Sequence, residues 1–168
     1  MSDGPAAAIA FRELIHYTND ETARWHRWLA ANPGALDLAW GDARIPTVRH
    51  LVQHIFAIER RSADRLHGDA PSPLDVVRMD DVDSLFASGR EAREKLERYL
   101  ASATDEALTG RLEFTTASGD RASASRRKIV AHVLLHGIRH WAQLAAELRR
   151  QGRSTDGRHD IAFSDAME

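Results

Sequence analysis

Apolar residues recur at spacings of three and four along four separate stretches of the 168-residue chain, and this rhythm constrains its fold more than any other feature. The first stretch covers about 7–31 on Phe11, Leu14, Ile15, Thr18, Thr22, Trp25 and Leu29, and Asn32-Pro33-Gly34 stops it. The second follows Pro46, with Thr47 as its N-cap, and carries Val48, Leu51, Val52, Ile55, Ile58 and Leu66 before ending at Gly68. The third begins around Asp83, whose carboxylate can cap its first turn, and reaches about Ser102 on Leu85, Phe86, Gly89, Ala92, Leu96, Tyr99 and Leu100. The fourth covers 125–150, with Ser125 at its start and a stripe of Ile129, Val133, His136, Gly137, His140, Leu144 and Leu148.

Four such helices predict an all-α protein, an antiparallel four-helix bundle. The stretch at 34–46, with Trp40, Gly41 and Pro46, reads as a connector. Ahead of the fourth helix, Leu112, Phe114 and Thr116 alternate and Ser118-Gly119-Asp120 is a turn signal, so a short hairpin or extended loop is expected there. The pairs Glu91-Lys95 and Glu94-Arg98, and the run Arg126-Arg127-Lys128, read as solvated faces. One domain spans 1–152. The remainder, 153–168, reads as a mobile polar tail on which Ile161 and Phe163 could dock.

Composition removes several classes of function. There are no cysteines, so disulfides, thiolate nucleophiles and iron–sulfur clusters are excluded, and a transition metal must be held by His, Asp or Glu. The 23 basic and 25 acidic residues give a formal net charge of -2, which argues against a binder of nucleic-acid backbones. No basic-then-apolar leader opens the chain and no apolar run approaches the ~20 residues needed to cross a bilayer. A cytoplasmic protein with no membrane partner is the expectation. No phosphate loop, dinucleotide fingerprint or nucleophile elbow is present.

The chemistry lies in the histidines. The chain has nine, and five fall in two short segments: His50 and His54 on the second helix, His132, His136 and His140 on the fourth. Residues four apart on a helix share a face, so two imidazoles at that spacing can converge on one ion. The inward stripe through Gly137, Leu144 and Leu148 selects His136 and His140, and His132 is about two turns from His140 along the axis. Gly137 leaves room where an ion or its water would sit. A third ligand is expected from the second helix, where the apolar stripe through Leu51 and Ile58 favours His54 over His50. Three neutral imidazoles with open positions form the pattern of a catalytic metal site, and buried core histidines are the alternative.

The segment HVLLHGIRHWAQL, with His136, His140 and Gln143 in an H-x-x-x-H-x-x-Q pattern, resembles the signature of the DinB-like (DinB/YfiT) family. VRHLVQHIFAIERRSADRL resembles the family's second helix, and His54 falls where its third ligand stands. Trp141-Ala142 replaces the Arg-Gly common in that family, which bears on pocket shape rather than on the ligands. The resemblance implies a divalent metal, nickel or zinc, on His54, His136 and His140, and a homodimer. It also implies a small-molecule substrate and, from several relatives, a low-molecular-weight thiol as co-substrate. The reaction expected is thiol transfer or hydrolysis through a water on the ion, assisted by Gln143 or Glu59. A non-catalytic metal- or ligand-binding stress protein is the alternative.

Glu59 could orient a ligand imidazole, although a surface pairing with Arg60 or Arg61 is the simpler reading. Gln143 could meet water on the ion or cap a polar gap. Trp25, Trp28 and Trp141 could line a pocket, with core or dimer-interface packing the plainer role. His16 and His26 could face the site from the first helix, and His67 and His159 are expected on the surface.

Overall fold

A computed structural model describes residues 9–116, 119–155 and 159–167. Helix α1 is Phe11–Ala31. Its first turn is closed by Glu13, whose Oε2 accepts the Ala10 N–H at 2.6 Å. The expected start near 7 lies outside the described residues, and Ile9 and Ala10 precede the helix. After a 3-10 turn at Pro33–Asp37, the expected connector is instead a small hairpin, β1 (Ala39–Asp42) antiparallel to β2 (Ile45–Thr47). Strands of four and three residues are too short to show an alternation in sequence.

Helix α2, Val48–His67, leaves β2 directly. Thr47 occupies the N-cap position but its hydroxyl does not cap the backbone; it shares a 2.8 Å hydrogen bond with Nδ1 of His50. Gly68, at φ 81°, closes the other end by donating its amide to the Arg65 and Asp64 carbonyls. Helix α3, Val82–Ser102, is capped by Asp81 rather than Asp83. Oδ1 of Asp81 accepts the Ser84 N–H at 2.7 Å, and Ser84 Oγ accepts the Asp81 N–H at 3.1 Å. Asp83, one residue into the helix, meets Nε2 of His26 at 2.8 Å. A single turn, α4 (Asp105–Thr109), leads into β3 (Arg111–Thr115) and β4 (Arg121–Ser125), which pair antiparallel from Arg111↔Ser125 to Thr115↔Arg121. A hairpin therefore precedes the last helix, and Ser118 of its turn lies outside the described residues. Helix α5, Arg126–Arg150, starts on Ser125, whose Oγ accepts the Lys128 N–H at 3.2 Å.

The protein is thus mostly helical, with α2 packed on α3 and α5, and α1 on the same two helices. No helix among the described residues is long and apolar enough to cross a membrane. The apolar faces meet in two clusters. One is built on Trp25, Phe56, Phe86 and Trp141, with Trp25 and Trp141 stacked 5.6 Å apart. The other is built on Ile15, Leu66, Leu96, Val130 and Leu134. Burying each such side chain contributes about 1.5–3 kcal/mol.

A polar layer lies between the clusters. Glu59 on α2, 3% exposed, accepts from Arg93 Nη2 on α3 at 2.6 Å, and Arg93 Nη1 also donates to Asn19 on α1. Glu59 is therefore not the surface partner of Arg60 or Arg61 that its neighbours in sequence suggest. On the charged face of α3, Glu91, Glu94 and Arg98 are exposed as expected, and Lys95 alone of the four is drawn inward. Lys95 donates to Asp64 and Asp69 at 2.6 Å each instead of pairing with Glu91, and Asp64 is almost fully buried.

The described part of the tail is held on α1. Trp28 Nε1 donates to the Ser154 carbonyl at 3.1 Å and the Tyr17 hydroxyl to the His159 carbonyl at 3.0 Å. His159 is not a surface residue: it stacks on Trp25 and meets Glu21 Oε1 at 2.7 Å. Ile161 and Phe163, expected to dock, are 37% and 54% exposed.

Candidate metal centre

His136 and His140, one turn apart on α5, face His54 across the gap to α2. Nε2 of His136 lies 3.1 Å from Nε2 of His140 and 3.2 Å from Nε2 of His54. One nitrogen of each ring lies within 4.8 Å of the others, so the group could hold a metal ion. A tetrahedral ion with N-bonds of ~2.0–2.1 Å sets its ligand nitrogens about 3.3–3.4 Å apart, close to the two short spacings.

Hydrogen bonding fixes one ring. Nδ1 of His140 donates to Oε1 of Gln143 at 2.8 Å, so a neutral His140 presents a bare Nε2 lone pair to the cluster. A proton on His136 Nε2 can serve only one of its two neighbours well, and His136 Nδ1 is buried with no partner. A cation would answer all three lone pairs together. The residues fit one.

The surroundings keep the rings neutral, the state that ligates. Burial lowers the pKa of His136 to about 3, and His140, His54, His132 and Arg139 add repulsion. Burial also lowers His54, with His140 adding to it. Burial and Arg139 lower His140 against the opposing hydrogen bond to Gln143.

The other candidates are placed elsewhere. His50 is occupied by Thr47. His132 is exposed, with its ring 5.5 Å from that of His136, and stands outside the three-nitrogen group. His16 is exposed beside Asp20, and His26 stacks on Phe86 away from the cluster. His67 is exposed, as expected, with Nε2 2.9 Å from the Lys95 carbonyl. Trp25, Trp28 and Trp141 are core residues, between 0% and 6% exposed.

Gly137 has a different purpose from the one its sequence position suggested. A Cβ there would stand 3.3 Å from Glu59 Oε1, so the glycine makes room for the buried ion pair rather than for a metal. Glu59 is spoken for by Arg93 and no hydrogen bond links it to a histidine of the cluster. Arg93 itself was missed in the sequence. Its signal was its place four residues after Gly89 and three before Leu96, on the apolar stripe of α3.

A groove of about 410 Å³ begins one helical turn from the cluster, beside Ile58, four residues beyond His54, and His132, four before His136. A separate cavity of about 310 Å³ between α1 and α3 opens on Glu59 and Arg93 instead.

The family model described as "DinB family" matches residues 1–163. None of the curated proteins compared with the chain matches it.

Proposed function

The chain belongs to the DinB family, and from that premise we propose that it is a metal-dependent enzyme of thiol-transfer or hydrolase type, with His54, His136 and His140 holding nickel or zinc. The observation that carries this reading is the convergence of three neutral imidazole nitrogens with no fourth histidine or carboxylate among the described residues. Three protein ligands leave positions open for a substrate, whereas structural sites are closed by four. The family's four-helix bundle is part of the same reading, supported by the closed ring of contacts in which α1 and α2 each touch both α3 and α5. So is a homodimer, which sedimentation would test.

When bound, a divalent ion in such a site supplies Lewis acidity and lowers the pKa of a coordinated thiol or water. The chain's own contributions are specific. His54, His136 and His140 bind through Nε2. Gln143 holds the proton of His140 on Nδ1 and orients the ring, a positioning role in place of direct contact with water on the ion.

One observation favours a second reading, a non-catalytic metal- or ligand-binding protein. Glu59, the acid expected to assist the reaction, is locked to Arg93. Cobalt-substituted protein separates the two. Under the enzyme reading, a low-molecular-weight thiol such as N-acetylcysteine changes the visible cobalt spectrum, and the loaded protein turns over thiol-acceptor or ester substrates that His136→Ala does not. A loaded protein with an unresponsive spectrum and no metal-dependent turnover would leave the binding reading.

A further inference from the structure

The groove one turn from the three histidines is lined by cations and by no carboxylate. Its walls come from α2, α5 and the β3–β4 hairpin, and Ile58, Phe114 and Ile129 supply apolar surface. Arg61, Arg65 and Lys128 line it as well, and no carboxylate does. None of these three cations makes an ion pair with a carboxylate among the described residues.

Several cations that are part-buried in the fold are neutralised by carboxylates. Arg49 meets Asp37, Arg93 meets Glu59 and Lys95 meets Asp64. With 25 acidic residues against 23 basic, acids are available to do the same in the groove. Arg61 and Arg65 sit four apart on one helix and repel each other, an effect that Asp64, itself bonded to Lys95, offsets only in part. Their fixed contacts are weak in charge terms. Arg61 Nη1 donates to the Ser72 carbonyl at 2.7 Å and Arg65 Nη2 to the Thr115 carbonyl at 2.9 Å. Arg65 also lies 5.0 Å from the centre of the Phe114 ring, and its Nε is buried with no partner. Two arginines are so held in place, with donors to spare, on the wall of a cavity.

Direction matters too. Later residues of α2 face earlier residues of α5 along the groove, so the two helices run antiparallel and both lead away from the histidines the same way. Lys128 is eight residues before His136, roughly 12 Å along the axis at 1.5 Å per residue.

We propose that this groove is an anion subsite: it seats the carboxylate of a small organic acid on Arg61, Arg65 and Lys128 and lays its apolar body along Ile58, Phe114 and Ile129 toward the three histidines. As a statement of substrate class, an amphiphilic acid with its reactive end remote from its charge, this rests on the reading of the histidines as a metal centre. The subsite itself does not.

The test is calorimetric titration of the purified protein with 6-phenylhexanoate and with its neutral counterpart 6-phenylhexan-1-ol. The acid should bind at least tenfold more tightly, and the advantage should shrink as salt is raised. Arg61→Gln with Lys128→Gln should abolish the preference. Lys128→Gln and Lys128→Glu alone, at an exposed position, should reduce it stepwise, which keeps the test open if the double variant folds poorly. Arg65 is left intact because it anchors the hairpin. His136→Ala should keep the preference for the acid while losing metal. Wild-type protein that takes up no metal yet prefers the acid would refute the metal reading and leave the subsite standing. Equal affinity for acid and alcohol, or a preference unchanged in Lys128→Glu, would overturn the subsite.

Discussion

Nδ1 of His140 and Oε1 of Gln143 stand 2.8 Å apart, one turn of α5 carrying both a ring of the three-histidine cluster and the group that sets its tautomer. Because the amide oxygen can only accept, it keeps the proton on Nδ1 and leaves Nε2 free to bind. Gln143→Leu, at an exposed position, should fold normally and weaken metal affinity by about 10–100-fold. Competition against a chelating dye measures this, and an unchanged affinity would remove Gln143 from the site.

The Glu59–Arg93 pair is structural. Glu59→Leu leaves the buried Arg93 guanidinium with Asn19 as its remaining partner and no countercharge, and should cost about 3–5 kcal/mol in denaturant unfolding. Adding Arg93→Met should recover most of the loss. Metal stoichiometry should stay the same in both variants, since neither side chain touches the histidines. A fall in metal content in the folded double variant would give Glu59 the ligand-orienting role considered from the sequence.

Gly89 lets α3 pack directly on the Phe56 ring of α2. A Cβ there would come within 2.6 Å of the Phe56 ring, which is itself 1% exposed and packed on Phe86 and Trp141. Overpacking of this kind costs about 1–3 kcal/mol, against a helix-propensity gain of about 1 kcal/mol for alanine over glycine. Gly89→Ala should therefore lower stability overall, and a rise in thermal midpoint would contradict this packing.

Asp64 gives the fold a pH dependence. Burial works against its ionised form, but hydrogen bonds from Lys95 and Ser72 outweigh it and hold the carboxyl below its ordinary pKa. A lowered native pKa stabilises the fold above the unfolded value, about 4, and that contribution is lost as pH falls through the native one. Asp64→Asn should cost about 1–3 kcal/mol at pH 7. The gap between variant and wild type should close progressively below pH 4. Urea unfolding at pH 7 and pH 3 checks it; a constant gap would mean that the charge is not what stabilises.

Much of this is legible in the sequence, for physical reasons. The long helices showed because each repeats its apolar face over five or more turns, and the Ser125 cap and Gly68 stop are local signals. The convergence of His54 with His136 and His140 followed from helical phase combined with family resemblance. Short-range features with little repetition did not show, as the β1–β2 hairpin and the Asp81 cap illustrate. Nor did pairings decided across helices. Lys95 had an acidic neighbour at i−4 in sequence and chose Asp64 on α2, while His159 was held by Trp25 and Glu21, far away in the chain. Gly137 was seen as special, but its reason lay on another helix.

If His54, His136 and His140 together hold one divalent ion, metal content must depend on each of the three side chains. Elemental analysis of protein purified without a polyhistidine tag tests it most directly, comparing wild type with His54→Ala, His136→Ala and His140→Ala, and with His50→Ala and His132→Ala as controls. The wild type and both controls should carry about one metal per chain, and any of the three ligand variants little. Equal metal in wild type and a folded His140→Ala variant, or a wild type that takes up none from nickel or zinc, would contradict it.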